Sequence, residues 1–156
     1  MTLKSHNKPK AIEKPEPVKI PKRSADPLIG GENPLSWRFS HRDLGGPFGW
    51  RDVPSNELNK LITRLAEFED KNWEGISKTG SHRIACDILS ADARERLNDI
   101  NKNDLDELMS FRVDGTSRVW CICDGSIMKV LWWDPTHQVY PTLVDKEDRK
   151  KVRNRK

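Results

Sequence analysis

Apolar and polar positions change rhythm along this chain, and the changes mark its elements. Between 54 and 72, Leu58, Leu61, Ile62, Leu65 and Phe68 recur at three- and four-residue steps, with Glu57, Lys60, Arg64, Glu67 and Asp70 between them. That spacing predicts an amphipathic helix. Ser55 after Pro54 is its expected N-cap, and Lys71-Asn72 its expected end. A shorter, more polar helix is expected from Ser90 through Ala93, Leu97 and Ile100, lying at the rim. From Met109 the period drops to two. Met109, Phe111 and Val113 fall on one face, with Ser110 and Arg112 on the other. Val119, Cys121 and Cys123 oppose Trp120 and Ile122. Met128, Val130 and Trp132 oppose Ile127, Lys129, Leu131 and Trp133. Asp114-Gly115 and Asp124-Gly125 separate these runs as tight turns, and Asp134-Pro135 stops the last one.

The expected fold is α+β: an N-terminal strand and two helices packed on a C-terminal three-stranded antiparallel meander. One face of the meander is expected under the helices. The other is read as a partly apolar concave surface open to a partner. Trp37–His41 alternates as a half-buried strand, Gly45–Trp50 breaks into loop, and His82–Cys86 reads as a short extended piece.

Composition adds boundaries. Residues 1–35 are rich in Lys and Pro without apolar periodicity, and residues 145–156 are almost all charged. Both read as disordered basic tails flanking a domain over 36–144. Lys and Arg outnumber Asp and Glu by 7 to 4 in the first tail and 7 to 3 in the last, whereas the centre carries 14 against 17. The net charge of +4 therefore resides in the tails, and a basic face on the domain would have to come from clustering. No stretch is long and apolar enough for a membrane span or a signal peptide. The three Cys have no scaffold spacing. These features read as a cytoplasmic protein with reduced thiols.

The pattern Phe111-Arg112-x-x-Gly115-x-x-Arg118-Val119-Trp120, followed by His137 and Tyr140, resembles the RelE/ParE superfamily of bacterial toxin–antitoxin modules. The string Leu131-Trp132-Trp133-Asp134-Pro135-x-His137-x-Val139 is also similar to that of a group of small bacterial proteins with this layout. The resemblance implies a compact RelE-like domain, a cognate antitoxin as partner, and no cofactor or metal. RelE-like members cut messenger RNA on the ribosome through attack by the ribose 2′-hydroxyl. ParE-like members inhibit gyrase instead. Arg118 matches the family's strand-start arginine, Arg112 another family arginine, and Tyr140 the C-terminal tyrosine. His137 stands where a basic residue or histidine often follows the last strand. The chain departs from the cutting members at Ser110, where they tend to carry lysine, and at Asp134-Pro135-Thr136, which replaces a basic loop. An alternative is therefore a non-catalytic module of the same fold that binds a protein target. A third reading makes the basic tails the nucleic-acid-binding part.

Cleavage by a 2′-hydroxyl needs a base, positive charge on the phosphorane and an acid for the leaving oxygen. The expected catalytic set is Arg118, His137 and Tyr140, with Arg112, Lys129 and Trp133 as substrate contacts. A histidine titrates near neutral pH, and an arginine presents paired donors to phosphate. Each has a plainer alternative: His137 as a turn residue on Trp133, Arg118 in an ion pair with Asp114 or Asp134, Tyr140 as edge packing, Arg112 as structural. Cys121-x-Cys123 places two thiols on one face, but it lacks the spacing of a zinc knuckle and lies in an apolar strand.

Overall fold

The computed structural model describes residues 33–141. The two expected tails lie outside that range apart from residues 33–35, as do residues 142–144 of the expected domain. The described chain runs β1 (Ser36–Arg38), α1 (Ser55–Glu69), α2 (Trp73–Lys78), β2 (His82–Ala85), a single 3₁₀ turn (Cys86–Ile88), α3 (Ala91–Asp99), β3 (Glu107–Arg112), β4 (Arg118–Asp124) and β5 (Ile127–Asp134). It is an α+β fold with a five-stranded mixed sheet ordered β1-β5-β4-β3-β2.

The sheet is thus wider than the expected three strands. β3, β4 and β5 pair antiparallel in sequence order, but as the interior of the sheet. β2 adds antiparallel to β3, and β1 adds parallel to β5, with Trp37 opposite Met128. A three-residue strand whose partner lies some ninety positions away leaves no local hairpin signal. Its membership of the sheet is a tertiary fact.

The second face of the sheet is not open, contrary to expectation. On the first face, Leu61, Leu65 and Phe68 of α1 and Ile76 of α2 pack on Phe111, Val119 and Val130. On the second, Ala93 and Leu97 of α3, Phe48 and Val139 cover Trp120, Leu131 and Trp132. α3 is therefore a covering helix rather than a rim helix. Two-sided burial explains why β4 and β5 are apolar on both sides.

Two local readings also change. Register slips between Trp120 and Cys121: Cys121 faces Val130, but Trp120 faces Trp132, which leaves Leu131 as an extra residue. A bulge of this kind interrupts period two, so Leu131 and Trp132 both join the α3 side while Trp133 turns to the α1 side. At α1, Pro54 holds the N-cap position without a side-chain bond, and Ser55 is the first helical residue. Trp73–Lys78, just past the expected end of the first helix, is helix α2, capped by Asn72 accepting from the Gly75 N–H at 2.8 Å.

The loop before α1 is pinned across the second face. Arg96 of α3 donates to both oxygens of Asp43 at 2.8 and 2.7 Å. The indole N–H of buried Trp132 donates to the same carboxylate at 3.0 Å, and the Gly45 N–H at 3.1 Å. Gly46 has φ +68°, and a Cβ there would overlap the Arg96 guanidinium. Gly46→Ala is therefore expected to cost about 1–3 kcal/mol through left-handed strain and overpacking. A urea melt of the purified variant checks this.

Candidate functional site

Cross-strand register brings Arg112, Arg118 and Asp134 into one row at the end of the sheet where β3 turns into β4 and β5 ends. The Asp114-Gly115 turn sits beside it. Asp114 Oδ1 accepts the N–H groups of Thr116 and Ser117 at 3.0 and 2.8 Å. The Arg118 Nη1 donates to the carbonyls of Asp114 and Ser117 at 2.9 and 3.0 Å, and Arg112 Nε donates to the Asp114 carbonyl at 3.2 Å. Thr116 Oγ1 reaches the Pro135 carbonyl at 3.0 Å, tying this turn to the segment after β5.

That segment is organised by Asp134, which is fully buried. Its Oδ1 accepts the Gln138 N–H at 2.8 Å and its Oδ2 the Val139 N–H at 2.9 Å. The turn holds His137 at φ +58°, a left-handed conformation that a histidine adopts only when its surroundings impose it. His137 is partly exposed, but its Nδ1 is buried without a hydrogen-bond partner.

These bonds decide the electrostatics. Both nearby carboxylates are occupied by backbone N–H groups. Among the described residues, neither Arg112 nor Arg118 makes an ion pair, so the expected alternative of an Arg118 pair with Asp114 or Asp134 is not what forms. Arg118 is only 5% exposed. Burial, and then the like charge of Arg112, hold its pKa below the usual arginine value, against the pull of Asp134 and Asp114. Burial, and then the positive charge of Arg118, hold His137 below the ordinary histidine value, against the carbonyls of His137 and Tyr140 and the charge of Asp134. The guanidinium and the imidazole are thus electrostatic neighbours.

The other expected site residues fare differently. The Tyr140 ring packs on the second core, beside residues such as Val139 and Trp132, and it is the Tyr140 carbonyl that acts on His137. Lys129 pairs with Asp124 at 3.4 Å. At about 3.3 Å per residue of strand it lies roughly 16 Å along β5 from Asp134. It does not join the cluster. Trp133 faces the α1 side of the sheet, away from the α3-side packing of Tyr140, because the bulge at Leu131 sets its direction. Cys121 is buried, and burial raises its pKa well above the usual thiol value. The Cys86 thiol is pushed up to about 11 by burial and by the carboxylates of Asp106, Glu107 and Asp87. Among the described residues, no group of three His, Cys, Asp or Glu side chains gathers as a metal site.

Comparison with known proteins leaves the geometry to stand alone. No protein family, curated protein or solved structure matches this chain.

Two guanidiniums without carboxylate partners among the described residues, beside a histidine whose pKa is lowered by burial and by Arg118, suit an anion with several oxygens. A phosphodiester fits that description. The neutral imidazole can accept a proton from a hydroxyl presented to it. Two kinds of residue escaped the sequence reading. Asp114 and Asp134, expected at a turn and a strand stop, also accept backbone N–H groups through their carboxylates, a role for which Asp beside Gly or Pro is a legible signal. Asp43 and Arg96 lie 53 residues apart and carry no such signal.

No helix among the described residues is long and apolar enough to cross a membrane.

Proposed function

We propose that this chain is a toxin-like module that acts on RNA, with a phosphodiester held at Arg112 and Arg118 and a 2′-hydroxyl deprotonated by His137, so that the O2′–P bond forms as the P–O5′ bond breaks and the departing 5′-oxygen takes a proton from water, without a metal. The observation that carries the reading is that, among the described residues, two adjacent arginines lack an ion-pair partner because the neighbouring carboxylates are turned to backbone N–H groups. Messenger RNA on the ribosome is the proposed substrate. A cognate antitoxin is the proposed partner and the cytoplasm the proposed location. The RelE-like reading of the fold belongs to this proposal and rests on the residue pattern. Induced expression should arrest growth and generate new messenger 5′ ends, and Arg118→Ala with His137→Asn should remove both effects.

The second reading is a non-catalytic binding module. One observation favours it: Arg118 Nη1 is engaged by three turn carbonyls and the side chain is nearly buried, an arrangement that also serves the turn alone. Growth arrest with intact transcripts would select this reading.

A further inference from the structure

α1 has a wider apolar face than the sheet beneath it can cover. Leu61, Leu65 and Phe68 are buried, yet Leu58 and Ile62 on the same helix are 40% and 54% exposed. They flank a groove of about 850 Å³ between α1 and β1, which Leu35, Trp37, Phe39 and Ala66 also line. β1 is the edge of the sheet. Its Ser36 N–H donates inward to the Ser126 carbonyl at 3.0 Å, so strand alternation turns the Trp37 N–H outward along the groove. Neighbouring strands lie about 4.8 Å apart, whereas a helix is about 10 Å across. One further strand therefore fits under the overhanging side of α1. An open edge beside an apolar groove is a template for strand addition.

The chain itself supplies a matching segment. Thirty-two residues precede the described region, and they enter at Asn33, two positions before Leu35 of the groove. Immediately upstream stands Asp26-Pro27-Leu28-Ile29-Gly30-Gly31-Glu32. Gly-Gly followed by Glu32-Asn33-Pro34 is a turn signal, and reversal there would lead Leu28 and Ile29 back along β1. Residues 24–32 carry Asp26 and Glu32 and no basic residue. Exposed Arg42 lines the groove, with Glu69 at its margin. The basic residues Lys22 and Arg23 come only after this stretch has run its course. Direct linkage also gives this segment a high effective concentration over any free peptide.

We propose that residues 24–29 add to the free edge of β1 as a sixth strand, whose apolar face of Ala25, Pro27 and Ile29 lies under α1 with Ile29 seated on Leu58 and Ile62. This is independent of the RNA reading. Hydrogen exchange on the full chain tests it, with Trp37 N–H as the reporter and Leu28→Asp/Ile29→Asp as the variant. Trp37 N–H is expected to be protected in the full chain at all protein concentrations and to lose about tenfold or more of its protection in the variant. The Phe111 and Val119 amides, in the sheet interior, should stay protected in both and report that the domain is folded. Equal exchange at Trp37 in the full chain and the variant would overturn the proposal. So would protection that appears only as concentration rises, which would assign the groove to a second copy.

Discussion

Asp43→Ala is expected to cost about 3 kcal/mol. The Arg96 side chain is 23% exposed and turns to water once its partner is gone, so the loss falls below that of a fully buried pair. Here Trp132 also loses its acceptor inside the core, and an unsatisfied buried donor adds about 1–3 kcal/mol in its own right. The loop carrying Phe48 would be released from the second face, where Phe48 and Trp132 rings lie 5.3 Å apart. For a domain of this size such a loss lowers Tm by roughly 12 °C or more. The pH dependence has a definite sign. Burial alone would raise the Asp43 pKa, but hydrogen bonds from Arg96 and Trp132, the charge of Arg96 and the Gly45 N–H outweigh it, and the folded value is lowered. A lowered carboxylate stabilises the fold above its unfolded pKa of about 3.9 and loses that contribution as pH falls through the folded value. The gap between the parent chain and Asp43→Ala should therefore be full at pH 7 and narrow towards pH 3 in thermal melts. Asp43→Asn should recover part of it, because an amide oxygen can still accept from Trp132.

The second large effect falls on chemistry. His137→Asn is expected to lower RNA cleavage by about 10²–10⁴-fold, the range for removing a general acid or base. Asparagine suits the left-handed φ at this position, so the fold should be unmoved and the loss should report the imidazole. The pH profile should separate it further. With the folded pKa of His137 lowered, the neutral base predominates at pH 7, and activity should fall as pH drops through that lowered value. The same direction applies to stability: the contribution is present above the unfolded value of about 6.5 and is lost as pH falls through the folded one. Arg112→Ala should weaken binding of RNA more than it slows cleavage of bound RNA, since it supplies charge without proton transfer.

Elements set by local rules were legible in the sequence. α1 follows from its three- and four-residue apolar steps, α3 from Ser90 followed by Ala93 and Leu97, and the β3–β4 and β4–β5 turns from Asp-Gly. What escaped depends on partners distant in sequence. β1 takes its place from a parallel contact with β5. The α3-covered face arises because Asp43, Arg96 and Trp132 meet in space. At the site, Arg118 and His137 are brought together, and Arg112 stands beside them because it pairs with Arg118 across the hairpin. Lys129 and Trp133 were chosen by residue type. Strand rise carries one to the opposite end of the sheet, and the Leu131 bulge turns the other to the opposite face.

The proposal for RNA depends on His137 feeling both Arg118 and a bound phosphodiester. NMR titration of the His137 ring measures that directly, in the full chain, with and without an uncleavable 2′-deoxy oligonucleotide. The imidazole should titrate below 6.5 in the free protein, and its pKa should rise when the oligonucleotide phosphate neutralises the neighbouring guanidiniums. A ring that titrates at or above 6.5, or one whose titration the oligonucleotide leaves unchanged, would contradict a phosphodiester site at this end of the sheet.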